Sequence, residues 1–199
     1  MASQTYKVVL VGSVGAGKTS WLRRLRDGIF LADYTPTKGA DVYSETLNLN
    51  NKTSISLSIW DTAGDGSGMG EGYIVGADAV VLFMSPKQSP NTRNNYYNYW
   101  TSLIRQIRGN IPVIVVTTMS DVSRPNLKNE QAKLCFRSIQ VSSRSCYNLY
   151  RPLRDLARGL TGNRTVELLN ESGMVQREPL LSLATMREYE SRLATQTVA

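Results

Sequence analysis

Histidine is absent from the 199 residues, and only two cysteines occur, Cys135 and Cys146. The missing histidine excludes a His-based catalytic triad, and two cysteines without metal-ligand spacing exclude a zinc site. Long apolar runs are also lacking, because the longest, such as residues 8–11 and 111–116, are only as long as strands. A membrane-spanning helix needs roughly 18 apolar residues. We therefore expect a soluble protein of a reducing compartment.

Targeting patterns are likewise missing from the two ends of the given sequence. The first residues, MASQTYK, are not those of a signal peptide, and no glycine follows Met1 for myristoylation. No cysteine lies near Ala199 for prenylation. We accordingly expect no lipid anchor.

Positive charge is concentrated in the second half of the chain. The formal net charge is +7 overall, +1 for residues 1–100 and +8 within residues 105–164. Such a basic region favours acidic partners or nucleic acid. A solvated basic face is the preferred interpretation, because aromatic residues are not interleaved with the charges as a base-stacking surface requires. We do not expect nucleic acid as a partner.

Apolar periodicity alternates between strand and helix along the chain. Strands are predicted at residues 6–11, 42–49, 54–60, 79–84, 112–117 and 139–141, and helices over 18–27, around 100–107 and around 149–160. The second and third strands form a hairpin across Asn50 and Asn51. This alternation predicts an α/β fold, with a mostly parallel sheet, helices on both faces and ligands at the carboxyl ends of the strands.

Residues 171–199 have a different pattern from the α/β region. We predict a domain over residues 1–170, followed by a linker and a terminal helix within 171–199. Apolar residues three or four apart predict an amphipathic helix over residues 180–195. They are Leu183, Met186, Tyr189 and Leu193.

Residues 12–19, GSVGAGKT, match the pattern G-x-x-x-x-G-K-[ST] between a predicted buried strand and a predicted helix. Glycines allow backbone N–H groups to converge on phosphate oxygens at a helix N-terminus. Lys18 supplies a positive charge to the β- and γ-phosphates, and the Thr19 hydroxyl can ligate Mg²⁺. The candidate phosphate-binding residues are Gly12, Ser13, Val14, Gly15, Ala16, Gly17, Lys18, Thr19 and Ser20.

Two shorter motifs follow in an order that suits the same chemistry. Asp61 begins the sequence DTAG after a strand, where its carboxylate can hold Mg²⁺ through water and Gly64 can meet a γ-phosphate. The sequence YTPT, from Tyr34 to Thr37, offers a further hydroxyl to the metal and a backbone N–H to the γ-phosphate. The predicted metal ligands are therefore Thr19, Thr37 and Asp61, with Tyr34 and Gly64 beside the nucleotide.

Together these motifs resemble the Ras superfamily of small GTPases, which implies the P-loop NTPase fold of small G proteins with a six-stranded sheet. Later stretches at 72–74, 110–114, 145–149 and 152–158 resemble the Ran family within it, so that the likeness covers roughly residues 5–170. The resemblance implies a monomeric GTP/GDP·Mg²⁺ switch that hydrolyses GTP. It also implies protein effectors, transport receptors and an exchange factor, a role in nucleocytoplasmic transport, and a location in nucleus and cytoplasm.

Two departures from the family pattern fall on the catalytic side of the expected site. Val14 stands where the family most often has glycine, and a branched side chain there crowds the γ-phosphate and the attacking water. Asp65 stands where the family has the glutamine that orients this water. With Lys18, Asp65 is the candidate catalytic residue, and we expect weak GTP hydrolysis. Four glycines among residues 65–72 predict a flexible second switch.

The base-recognition motifs depart furthest from the family. The family pattern N-K-x-D is here Thr118, Met119, Ser120 and Asp121. Asp121 retains the carboxylate that distinguishes guanine from adenine. Thr118 is expected to be too short to tie the base loop to the phosphate loop, whereas Met119 can cover the purine. The last predicted base-binding residues are Ser142, Ser143 and Arg144.

The site pattern leaves three functions open. The first is a nucleotide switch, in which GTP and Mg²⁺ order Thr37 and Gly64. The second is an interaction protein locked to one nucleotide, or a pseudo-GTPase that does not cycle, which Val14 and Asp65 favour. The third is an adaptor without nucleotide, which the retained ligand positions disfavour. Guanine preference is expected to be retained but weakened by about 1–3 kcal/mol.

Overall fold

A six-stranded sheet forms the centre of the protein, in a computed structural model that describes residues 5–64, 70–120 and 132–177. Its strands are β1 (Thr5–Gly12), β2 (Ala40–Asn48), β3 (Ser54–Thr62), β4 (Ala79–Met84), β5 (Val113–Thr117) and β6 (Ile139–Gln140). Their order is β2-β3-β1-β4-β5-β6. The β2–β3 pair is antiparallel, and the other pairs are parallel. The predicted α/β class and mostly parallel sheet are confirmed.

Four helices lie among and after these strands in the described part of the chain. They are α1 (Lys18–Asp27), α2 (Gly70–Ile74), α3 (Pro90–Arg108) and α4 (Arg151–Thr161). The α1 helix lies between two glycines in left-handed conformation, and the Ser89 hydroxyl caps α3 by accepting a hydrogen bond from the Thr92 N–H at 3.1 Å. Within the described ranges no helix is long and apolar enough to cross a membrane. The sequence pattern did not predict α2.

Two apolar clusters pack on the two sheet faces, because alternate residues of β1 point in opposite directions. Val8 and Leu10 join the cluster that includes Trp21 of α1 and Leu156 of α4. Val9 and Val11 join the cluster beneath α2 and α3, whose largest buried members include Ile74, Trp100 and Ile104. This arrangement confirms helices on both faces and fixes the loops at the carboxyl edge of the sheet.

The chain after α4 returns to the turn of the β2–β3 hairpin. The Asn50 N–H donates to the Glu167 carbonyl, and the Glu167 N–H donates to Asn50 Oδ1, both at 3.1 Å. Leu49 and Leu168 are buried where they form an isolated bridge. The contacts continue past the predicted boundary at 170, since the Gln176 N–H donates to the Leu168 carbonyl at 2.7 Å. The predicted helix over 180–195 lies outside the described residues.

Candidate functional site

A cavity of about 520 Å³ lies at the carboxyl edge of the sheet, above β1, β4 and β5. Its volume is within the range of small-molecule sites. Most of its wall comes from loops that carry the motifs, at residues 14–20, 30–35, 37, 64, 118–119 and 143–144. The sheet topology therefore brings together segments that are more than 100 residues apart in sequence.

Glycine is required at both ends of the loop at 12–17. A Cβ atom on Gly12 would lie 2.8 Å from the Phe83 carbonyl oxygen, so that β1 and β4 could not approach as they do. Gly17 precedes α1 with a φ of 88°, a left-handed conformation that other residues rarely adopt. The chain can thus turn sharply from β1 into the N-terminus of α1.

Lys18 is folded back over this loop. Its side chain is only 5% exposed, and its Nζ donates to the Gly12 carbonyl at 2.7 Å and to the Ser13 carbonyl at 3.3 Å. Gly12 and Ser13 lie beneath the cavity wall, where their carbonyls orient the lysine. The ammonium is thereby placed at the positive end of the α1 dipole, an arrangement suited to binding anions.

Of the three predicted metal ligands, Thr19 and Thr37 line the cavity, and the buried Asp61 lies near Thr19. The Thr19 and Thr37 hydroxyl oxygens are 2.8 Å apart, which joins α1 to the loop before β2. Adjacent ligands of an octahedral Mg²⁺ have about this separation. Asp61 is fully buried, and among the described residues neither of its carboxylate oxygens has a hydrogen-bond partner.

The electrostatics of Asp61 fit a bound cation. Burial raises the pKa of the carboxyl, and the Thr19 hydroxyl, which is close to Asp61 without meeting hydrogen-bond geometry, and the Lys18 ammonium partly oppose this rise. An unpaired buried carboxylate is costly unless a cation or donor satisfies it. Oxygen donors of this kind are those that Mg²⁺ prefers. The described residues contain no cluster of three or more acidic, cysteine or histidine side chains, so a metal here needs oxygens from a ligand or water as well.

Gly64 packs directly on the phosphate loop. A Cβ atom at this position would lie 2.4 Å from Val14 Cα and 2.6 Å from Val14 Cγ2. Only glycine fits so close to backbone atoms. The Val14 side chain is itself 58% exposed and lines the cavity. Val14 and Gly64 therefore line the same part of the cavity.

Thr118 overturns one expectation from the sequence. Its Oγ1 donates to the Ala16 carbonyl at 2.8 Å, and its side chain is 3% exposed. The prediction that threonine is too short to tie the base loop to the phosphate loop is wrong. The loops can approach because Gly17 has no side chain, and a Cβ there would be 3.3 Å from Thr118 Cγ2.

The other residues predicted to bind the base, Met119 and residues 142–144, are of two kinds. Some line the cavity, and one is buried behind its wall. Met119, with a left-handed φ of 53°, lines the cavity, as do Ser143 and Arg144. Ser142 does not line it. This side chain is fully buried, and its Oγ accepts the Ser145 N–H at 3.1 Å. The predicted nucleotide contact of Ser142 is therefore corrected to support of the loop from behind.

Several wall residues were not predicted from the sequence, among them Arg23, Phe30 and Lys87. Arg23 lies one helical turn after Thr19, and this spacing was the available clue. Phe30 belongs to an apolar stretch after α1 that has no strand periodicity. Lys87 follows β4 and belongs to no motif. All three line the cavity.

Two predicted residues lie outside the described residues. They are Asp65, the candidate for orienting water, and Asp121, the candidate for guanine recognition. Their roles stay predictions from the sequence. The flexibility expected of residues 65–72 is tested only in part, because residues 65–69 lie outside the described residues, whereas residues 70–72 belong to α2.

Residues 7–121 match the family model named Roc, whose description reads "Ras of Complex, Roc, domain of DAPkinase". The matched range exceeds half of the chain and includes the loop at 12–19, the DTAG sequence and the end of β5. It agrees with the sheet order and with the cavity at the carboxyl edge. The chain therefore belongs to the Roc family of Ras-like GTPase domains.

Proposed function

We propose that this domain binds GTP and GDP with Mg²⁺, hydrolyses GTP slowly and changes the order of its loops with the bound nucleotide. The observation that carries the proposal is Asp61, a fully buried carboxylate without a hydrogen-bond partner among the described residues, beside the paired Thr19 and Thr37 hydroxyls. Family membership supports guanine nucleotide binding and GTP hydrolysis in general.

The phosphate-binding part of the proposal rests on the loop at 12–19. Backbone N–H groups at the start of α1 and the Lys18 ammonium provide positive potential for the β- and γ-phosphates. Lys18 is already oriented by the Gly12 and Ser13 carbonyls. Little side-chain conformational freedom is therefore lost when phosphate binds, which favours affinity.

Thr19 and Thr37 would hold Mg²⁺ directly, and Asp61 would hold it through water. When bound, the ion neutralises charge that develops on the β- and γ-phosphate oxygens. The residues of this chain orient it: Thr19 lies in the first turn of α1, and Asp61 lies near the end of β3, paired in register with Asp41 of β2. Mg²⁺ chelation should therefore weaken nucleotide binding.

A switch is supported by a direct connection between the two loops that approach the phosphates. The Ala63 N–H donates to the Gly39 carbonyl at 2.8 Å. Thr37 and Gly64 thus lie close in sequence to the hydrogen-bonded residues Gly39 and Ala63, at the open end of the β2–β3 hairpin. A γ-phosphate that contacts both residues would order both loops together.

Slow hydrolysis is the part of the proposal that depends on Val14 and Asp65. We expect the double substitution Val14→Gly and Asp65→Gln to raise the single-turnover rate of GTP hydrolysis by about tenfold or more, since it frees space and supplies an amide that orients water. Rapid-quench chromatography of preloaded protein measures the rate. An unchanged rate would show that another step is slow.

Identification of the nucleotide retained after GTP loading tests the function and its alternatives. The purified chain is exchanged into GTP with Mg²⁺, freed of excess nucleotide, incubated and denatured, and the released nucleotide is separated by chromatography. A slow GTPase releases GTP that converts to GDP over hours. Unconverted GTP would favour the locked alternative, rapid conversion would contradict slow hydrolysis, and an empty protein would favour an adaptor.

The finer assignments rest on resemblance. The likeness of residues 72–74, 110–114 and 145–158 to the Ran family is the basis for expecting transport receptors, an exchange factor and a place in nucleus and cytoplasm. These partners and locations stay predictions. Binding of the GTP-loaded chain to a transport receptor, compared with the GDP-loaded chain, would test them.

A further inference from the structure

Lys87 is presented to the cavity by a well-defined turn after β4. Ser85 and Pro86 are buried, whereas Lys87 is exposed. The Ser85 hydroxyl accepts the Lys87 N–H at 3.3 Å, and the Ser85 carbonyl accepts the Gln88 N–H at 3.3 Å. The turn therefore has a fixed backbone, and its lysine side chain lines the cavity.

The position of β4 places this turn between the two loops that form the predicted nucleotide site. β4 pairs with β1 on one side and with β5 on the other. The Thr118 N–H donates to the Met84 carbonyl at 3.2 Å, which fixes the base loop against the end of β4. Lys87 follows β4 and lines the same cavity as Gly15, which follows β1, and Met119, which follows β5.

Lys87 adds a positive charge to a wall that Arg144 also lines. Met119 stands where the family pattern N-K-x-D has lysine, so the base loop contributes an uncharged side chain at this position. The ammonium of Lys87 forms no ion pair or hydrogen bond with the residues described here. An exposed cation on the wall of a phosphate-binding cavity is attracted to an anionic ligand.

We propose that Lys87 binds the sugar–phosphate part of the nucleotide and supplies the positive charge that Met119 does not. The inference rests on the nucleotide binding proposed above and extends it to a residue outside every family motif. Lys87 would donate hydrogen bonds to ribose or phosphate oxygens, which are present in all purine nucleotides. It therefore contributes to affinity and not to the choice between guanine and adenine.

The first experiment compares Lys87→Ala with Lys133→Ala in the full chain. Lys133 is also exposed, and it does not line the cavity. The Kd for GDP with Mg²⁺ is measured by displacement of a fluorescent GDP analogue. Loss of a charge-assisted hydrogen bond predicts about tenfold weaker binding for Lys87→Ala, whereas Lys133→Ala retains the wild-type Kd.

A second variant tests whether the two positions share one role. Adding Met119→Lys to Lys87→Ala returns a cation to the same part of the wall and is expected to restore most of the lost affinity. A Lys87→Ala variant that binds as wild type, or a double variant as weak as the single one, would overturn the inference and leave nucleotide binding intact. A wild-type chain that binds no guanine nucleotide would overturn the proposed function and this inference together.

Discussion

The phosphate side and the base side of the cavity are built in different ways. On the phosphate side, the residue types of the motifs are those that the geometry requires: glycine at 12, 17 and 64, and Lys18 held by two carbonyls. On the base side, the sequence departs from the family pattern at Thr118 and Met119. Even so, Thr118 bonds to Ala16, so that the two sides remain joined.

This difference shows which parts of the site tolerate substitution. A Cβ at Gly64 would collide with Val14 backbone atoms, and backbone atoms cannot move aside as the end of a side chain can. The hydrogen bond that joins the two loops instead needs only one donor within reach of the Ala16 carbonyl, and the Thr118 hydroxyl provides it. Backbone packing therefore constrains the phosphate side more strictly than side-chain chemistry constrains the base side.

The largest expected effect is on the phosphate side. Lys18→Met removes the ammonium but keeps the aliphatic stem, and we expect the affinity for GDP and GTP to fall about 100-fold, because two phosphates lose a charged donor. Lys133→Met, at an exposed position away from the cavity, is the matched control. Equilibrium binding measures both. A loss of less than threefold in Lys18→Met would contradict the role given to the phosphate loop.

An intermediate effect is expected at the metal site. Thr37→Ala removes one hydroxyl of the 2.8 Å pair with Thr19, and we expect GTP with Mg²⁺ to bind about tenfold more weakly while GDP changes less than threefold. Chelation of Mg²⁺ is the internal control, since without the ion the variant and the wild type should bind GTP with the same affinity. If the affinities for GTP and GDP fall equally, Thr37 does not act through the γ-phosphate.

The smallest effect is expected on the base side. Thr118→Val removes the hydroxyl that donates to Ala16, and Thr101→Val removes a hydroxyl that donates to the Tyr97 carbonyl within α3, also at 2.8 Å. Each should lower the free energy of unfolding by about 1 kcal/mol, measured in urea. Only Thr118→Val should also weaken GDP binding, by about fivefold. Equal nucleotide affinity in both variants would show that the tie does not support the site.

The sequence predicted the fold well where local patterns are strong. The predicted bounds of α1 and β4 agree with the structure, because glycines flank α1 and β4 is a continuous buried apolar run. The short helix α2 was not predicted, since five residues carry too little periodicity. Its stability comes from tertiary burial of Ile74, which a local pattern does not contain.

The site was predictable only where its residues belong to contiguous motifs. Lys18, Thr19 and Thr37 follow from short patterns, and the structure brings them together with Asp61. Lys87 could not be found in this way, because its position depends on β4 lying between β1 and β5. The errors at Thr118 and Ser142 have a similar cause, since loop spacing and burial are set by the packed fold.

Two separate calorimetric titrations of the nucleotide-free full chain, one with GDP and one with ADP, test the central claim most directly. Both are carried out with Mg²⁺. Retained phosphate binding with a weakened guanine preference predicts one GDP per chain and ADP binding that is weaker by about 5- to 100-fold. If neither nucleotide binds, or if both bind with the same Kd, this account of the site is contradicted.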